Sequence, residues 1–190
     1  MRLFVAAYPP PAVLDDFVSH VSTLACGAPR PEGESLRLVP PDRVHLTLTF
    51  IGEVPDERLP RVEAAVAAGV GSGPRKVPRL RIGGGGRFGR GKFTVMWAGL
   101  RGDTTALNDL VSDLRRAMRS ARVPFDVKAY RPHVTVARPG DRLPEEQVAA
   151  DLAALSTYEG PEWPVESIDL VCSNQGPSIT YDRLSSYQLR

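Results

Sequence analysis

The sequence predicts an α+β fold: a bilobal, duplicated unit in which two antiparallel sheets flanked by helices surround a central cleft with pseudo-two-fold symmetry. Three observations predict it. Short apolar runs of strand character alternate with segments whose apolar residues recur at helical spacing. The strand–helix–strand–helix–strand order of the first half returns in the second. Each half also carries one copy of a strand motif, His45-Leu46-Thr47-Leu48 and His133-Val134-Thr135-Val136, with the two histidines 88 residues apart. The same offset carries the helix start near Asp56 onto Pro144, where the corresponding helix begins. A period this long is not that of a solenoid, whose repeats run to about 20–50 residues.

In the first half, Phe4 to Tyr8 reads as a buried strand, and Pro10 to Leu24 as a helix with Val13, Leu14, Phe17, Val18 and Val21 on one face. Ala28 to Glu34, rich in Pro, Gly and charge, reads as a loop. Leu36 to Val39 and Val44 to Ile51 resume strand character, with Gly52 ending the second of these. Asp56 to Val70 follows as a helix and Val77 to Ile82 as a strand, with Gly83 to Gly86 as a closing glycine-rich turn. The second half predicts strand Phe93–Leu100, helix Thr104–Ala121, strand His133–Ala137, helix Glu145–Leu155 and strand Val165–Val171, with Thr180–Leu189 as an edge strand. The chain is expected to be a single domain over residues 1–190, with lobes of roughly 1–91 and 92–190 that exchange terminal strands.

Composition narrows the function classes. The 190 residues are 42% hydrophobic and 24% charged, the balance of a folded globular chain rather than a disordered or fibrous one. The first apolar run, Leu3 to Tyr8, is cut by Pro9-Pro10-Pro11 and is too short for a signal-peptide core or a membrane span, so a cytoplasmic location with no membrane partner is expected; a monomer is expected as well. Cys26 and Cys172 are too few for a disulfide framework or a cysteine-based zinc site. A net charge of +2 cannot hold a long polyanion through the field of the whole protein, so any basic surface must be local.

The chemistry is carried by the two motifs. On a strand, residues two apart share a face, so His45 with Thr47 and His133 with Thr135 look into the cleft. Leu46, Leu48, Phe50, Val134 and Val136 then look into the core. A single His-x-Thr on a strand is usually a half-exposed surface pair; two copies at matching places in a chain of three histidines are the stronger signal. The third, His20, lies in the first helix without a ligand-spaced neighbour, so no metal site is completed, and neither metal nor cofactor is expected. Two facing imidazoles suit paired acid and base work near neutral pH, because histidine titrates near 6.5. Neighbouring hydroxyls can hydrogen-bond phosphoryl oxygens without adding charge. The arrangement suits in-line attack on a phosphodiester.

Two other phosphate signals fail in context. Gly86-Arg87-Phe88-Gly89-Arg90-Gly91-Lys92 matches a P-loop until Phe93 stands where Ser or Thr is required, and Gly84, Gly86 and Gly89 match a dinucleotide fingerprint. In both, a strand rather than a helix follows the glycines. Arg87, Arg90 and Lys92 then read either as solvated charge or as a basic loop at the cleft mouth that guides a phosphate backbone.

These residues resemble the 2H phosphoesterases, and among them the RNA 2′,3′-cyclic phosphodiesterases formerly described as 2′-5′ RNA ligases. The resemblance runs through Arg2-Leu3-Phe4-Val5-Ala6, Pro9-Pro10, Val39-Pro40-Pro41, the first motif, Phe50-Ile51-Gly52-Glu53-Val54, and Tyr130-Arg131-Pro132 before the second motif and Ala137-Arg138. It implies metal-independent hydrolysis of RNA 2′,3′-cyclic phosphate ends, or of small cyclic-phosphate nucleotides, to a 2′-phosphate. It implies His45 as proton donor, His133 as proton acceptor, and Thr47, Thr135 and Arg138 as phosphate-binding residues. Arg138 lies an odd five residues past His133, so the strand must end, twist or bulge for it to reach the cleft. The chain departs from the family at Leu36-Arg37-Leu38, where an aromatic is expected, which leaves Tyr8, Phe88, Phe93, Tyr130 and Tyr181 as base-stacking candidates. The alternatives are reversible 2′-5′ RNA ligation in the same site and a non-catalytic RNA- or nucleotide-binding module.

Overall fold

The computed structural model describes residues 1–31, 34–73, 76–176 and 179–189. Glu32 and Gly33 of the expected 28–34 loop, and Arg190 at the end of the expected domain, lie outside the described residues.

The described residues form eight strands and four α-helices. Strand β1 (Arg2–Ala7) leads to α1 (Pro11–Ser22), where Pro11 occupies a first-turn position that lacks a hydrogen-bond partner in any helix. Val13, Phe17 and Val21 form the buried stripe of α1. Next come β2 (Leu46–Glu53), α2 (Leu59–Val70), β3 (Arg79–Phe88), β4 (Val95–Gly102) and α3 (Thr104–Ser120), whose Leu107, Leu110, Val111, Leu114 and Met118 are all buried. The chain closes with β5 (His133–Ala137), α4 (Glu145–Thr157), the short β6 (Trp163–Pro164), β7 (Ser167–Asn174) and β8 (Thr180–Gln188). Leu36–Val39, expected as a strand, contributes one bridge, Leu38 to Ala137.

All strand pairs are antiparallel, in the order β6-β3-β4-β5-β2-β1-β7-β8. The two expected sheets are therefore two four-stranded halves of one sheet, joined by a single register pair, Leu46 with Val134. Strand β3 pairs with β4, and β7 with β1, so each half-sheet takes strands from both halves of the chain. One core cluster collects buried residues of all four helices, whereas Phe4, Ala6 and Val171 form a separate cluster with Tyr8, Phe50 and Tyr181. The helices thus cover one face of the sheet and leave the other to the motifs. The turn after α1 is tied to the middle of α4 by buried Asp151, which accepts hydrogen bonds from the backbone N–H of Ala25 and of Cys26, both at 2.8 Å. Burial, and secondarily that carboxylate, push the Cys26 thiol up to about 12, so it is held as an inert thiol.

Gly83–Gly86 do not form a turn, as the sequence suggested, but lie inside β3, which continues to Phe88. Glycine is retained there because other groups come too close for a side chain. A Cβ on Gly85 would stand 2.7 Å from the Leu152 carbonyl oxygen of α4, and one on Gly86 would run into Cζ2 of Trp97. Those glycines let a helix and an indole lie directly on the strand.

Candidate active site

The Leu46–Val134 pair joins the middle residues of the two motifs. Its antiparallel register sets His45 beside Thr135 and Thr47 beside His133 on one face, while Leu46, Leu48, Val134 and Val136 are buried behind them. All four polar residues of the motifs therefore converge on the seam between the half-sheets.

Each motif strand then breaks its alternation at the same place. Opposite β2, Val5 pairs with Thr49 and Ala6 with Thr47, so Leu48 is skipped; opposite β5, Met96 pairs with Ala137 and Trp97 with Thr135, so Val136 is skipped. A bulge of one residue turns the fifth residue after each histidine back to the histidine's face. Just past the end of β5 that residue is Arg138, which lies within electrostatic reach of both imidazoles. In β2 it is Phe50, which was expected in the main core and instead joins the Phe4–Tyr181 cluster on the open face.

The two imidazoles are oriented alike. Nδ1 of His45 bonds the Arg43 carbonyl at 2.7 Å, and Nδ1 of His133 bonds the Arg131 carbonyl at 2.7 Å. A carbonyl can only accept, so Nδ1 carries the proton in both rings and Nε2 is left for chemistry. Nε2 of His45 lies 3.0 Å from Oγ1 of Thr47; Nε2 of His133 has no protein partner among the described residues. Burial holds both imidazoles below the ordinary histidine value, against the opposing pull of each carbonyl bond, and the positive charge of Arg138 adds to the depression of both. His45 is lowered further by His133, and His133 by Arg131.

The rings around the histidines differ between the half-sites. His45 is bracketed by Phe4 (centroids 5.1 Å apart), Tyr181 (5.3 Å, edge-on) and Tyr8 (5.9 Å). His133 is bracketed by Phe88 (5.0 Å, edge-on) and Trp97 (6.0 Å), with Arg131 over both of those rings. Tyr8, Tyr181 and Phe88 were among the expected aromatic candidates; Tyr130 instead packs against the main core with its hydroxyl buried. Phe4 and Trp97 were missed. The signal was available for Trp97, since its strand partner Thr135 is a motif residue, but the pairing of β4 with β5 is a tertiary fact. Arg183, also missed, lies 3.8 Å over the Tyr8 ring and pairs with nearly buried Asp169 at 3.5 Å.

The remaining candidates lie elsewhere. His20 stacks on Tyr158 at 4.3 Å between α1 and the end of α4. Arg87 is engaged by Glu145 at 2.6 Å. Among the described residues no three His, Cys, Asp or Glu side chains converge as metal ligands, and no helix is long and apolar enough to cross a membrane.

Comparison with known proteins places this geometry. A family model described as the 2′-5′ RNA ligase superfamily matches residues 9–177. An RNA 2′,3′-cyclic phosphodiesterase of Thermus thermophilus is 31% identical over 198 aligned residues, covering all of this chain and 91% of that one. A second protein of that name, from Geobacillus stearothermophilus, is 30% identical over 76% of this chain and 45% of its own length. Among solved structures, one of a Thermus thermophilus protein superposes with a TM-score of 0.71 at 29% identity, covering 100% of this chain and 98% of that one. E. coli LigT complexed with 3′-AMP also superposes at 0.71, with 23% identity over 99% and 96% of the two chains, and so shares the fold. The match over most of the sequence, on a fold that brings both His-x-Thr pairs to one seam, shows that this chain belongs to the 2′-5′ RNA ligase superfamily of 2H phosphoesterases.

Proposed function

We propose that this protein is an enzyme that hydrolyses RNA 2′,3′-cyclic phosphate ends to 2′-phosphates, by acid–base catalysis between His45 and His133 without a metal. The observation that carries the reading is the convergence of two Nε2 atoms, each fixed by an Nδ1–carbonyl bond, on a seam flanked by Thr47, Thr135 and Arg138. The names of the two bacterial relatives support the substrate class.

In the proposed reaction the cyclic phosphate sits over the seam, with its non-bridging oxygens on the two threonine hydroxyls and the Arg138 guanidinium. His133 Nε2, free of a protein partner, takes a proton from water as the water oxygen bonds to phosphorus. The P–O3′ bond breaks on the opposite side, and protonated His45 gives its Nε2 proton to O3′. The products are a 3′-hydroxyl and a 2′-phosphate, and the two imidazoles exchange protonation states. The free lone pair on His133, beside a His45 whose Nε2 is already held by Thr47, supports these roles. Burial favours the neutral form of His133 that the base role needs, and the negative charge of a cyclic phosphate bound over the seam favours the protonated form of His45 before the chemical step.

The test is turnover of a short RNA ending in a 2′,3′-cyclic phosphate, in excess chelator, by wild type, His45→Ala and His133→Ala. Ring opening by wild type and a loss of about a hundredfold or more in each variant is the expected result. RNA bound but never opened by wild type would make the protein a binding module; opening that disappears in chelator would put a metal in the mechanism.

A further inference from the structure

The hairpin tip between β3 and β4, residues 89–94, is the one basic and aromatic feature from the sequence that the site above does not use. Phe93 is 69% exposed, and Lys92 Nζ stands 5.1 Å from its ring centroid. Arg90 and Lys92 are exposed and make no ion pair among the described residues, unlike Arg87 inside the strand, which Glu145 holds.

Two contacts fix the tip to the site. Phe88, the last residue of β3, rests edge-on against His133 at 5.0 Å. On the other flank the Lys92 backbone lies against Gly140, where a Cβ would meet the Lys92 carbonyl oxygen at 3.2 Å; Gly140 follows Arg138 by two residues. The tip is also built rather than slack. Phe93 N–H donates to the Arg90 carbonyl at 3.2 Å, and the Thr94 hydroxyl donates to the Gly91 carbonyl at 2.8 Å. Gly89, with φ of 66°, closes it at a place where a side chain would collide with the Phe93 carbonyl.

An exposed ring costs hydration and does nothing for the core, and two uncompensated cations beside it repel each other, so nothing in the fold needs this combination. A single-stranded polynucleotide needs both halves of it: a π-face for a base and cations for the phosphate linking one nucleotide to the next. A mononucleotide held at the seam has no second base to place there. Resting on the reading that the seam holds the cyclic phosphate, we propose that the β3–β4 tip is a second nucleotide subsite. Phe93 stacks the base of the nucleotide preceding the cyclic end, and Lys92 with Arg90 takes the connecting phosphodiester. The tip thereby selects RNA oligomers over cyclic mononucleotides.

The experiment compares wild type, Phe93→Ala and the double variant Arg90→Gln/Lys92→Gln on a mononucleoside 2′,3′-cyclic phosphate and on an octaribonucleotide with the same end. Expected is a fall of about tenfold in kcat/KM on the octamer for each variant, carried by KM, the size of one lost base stack. Turnover of the mononucleotide stays within about twofold of wild type. The double variant also flattens the salt dependence on the octamer. An equal fall on both substrates would make the tip structural, and no fall on either would leave it as surface charge; both overturn the proposal. Fluorescence anisotropy with a labelled octamer ending in a 2′-phosphate reads the tip without the chemistry. If wild type opens neither substrate, the hydrolytic reading fails; weaker octamer binding by the variants then upholds the subsite, and unchanged binding sinks it.

Discussion

The half-sites around His45 and His133 are built on one backbone plan and finished with different side chains. Both carry an alternating His-x-Thr strand, an Nδ1–carbonyl bond of 2.7 Å and a bulge three residues after the histidine. After the bulge, one half presents Phe50 and the other Arg138. Opposite the threonines, one presents Ala6 and the other Trp97. The difference teaches that a repeated backbone plan supplies the placement of two imidazoles, whereas their neighbours make the two surroundings inequivalent. A phosphate between two identical half-sites would meet no preference for attack from either side. Here the only cation turned inward by a motif bulge is on the His133 side.

Breaking that asymmetry at its cation is expected to have the largest effect. Arg138→Gln removes the charge that the proposed reaction sets against the phosphate and should lower kcat on a cyclic-phosphate RNA by about a hundredfold; a loss under about threefold would place the phosphate elsewhere. The reciprocal Phe50→Arg should not rescue it, because its neighbours on the His45 side are Phe4 and Arg2, whose guanidinium already lies 5.0 Å over the Phe50 ring.

Next comes the packing that differs between the halves. Gly86→Ala puts a methyl into the Trp97 indole, so the ring that flanks His133 must shift. We expect a cost of about 1–3 kcal/mol, read as a fall of several degrees in Tm, with a larger loss of turnover than Asp169→Ala produces at the matching place beside Ala6. Equal effects would show that the indole position does not matter to His133.

The pH dependence sharpens the electrostatic part. Both histidines titrate below the ordinary value, so the kcat/KM profile of wild type should be a bell centred on the acid side of two free imidazoles. Removing the Arg138 charge favours protonation of both rings, so the residual activity of Arg138→Gln should shift to higher pH; an unmoved or acid-shifted profile would contradict the placement of Arg138. The smallest effect is on stability. A histidine whose folded value is depressed resists protonation only when folded, so stability is lost as pH falls through about 6.5 toward the folded value. His45→Gln should therefore lessen the drop in Tm between about pH 7 and pH 5, by about 2 °C or less.

The sequence alone determined the α+β class, the helical faces of α1 and α3, and the two His-x-Thr strands, because 3.6- and 2-residue periods are local properties of the chain. The resemblance added Arg138. Tertiary structure decided what no local period encodes. Gly83–Gly86 read locally as a turn, yet they lie within a strand because α4 and Trp97 press on them. Phe50 read as a core residue by parity and was turned to the open face by a bulge at Leu48 that depends on how β1 pairs. The same device at Val136, set by β4, brings Arg138 to His133. The union of the two sheets rests on one residue pair, Leu46 with Val134, between strands far apart in sequence. Such pairings are chosen by the burial of whole faces and the closing of backbone hydrogen bonds across the sheet, which act only once the strands have met.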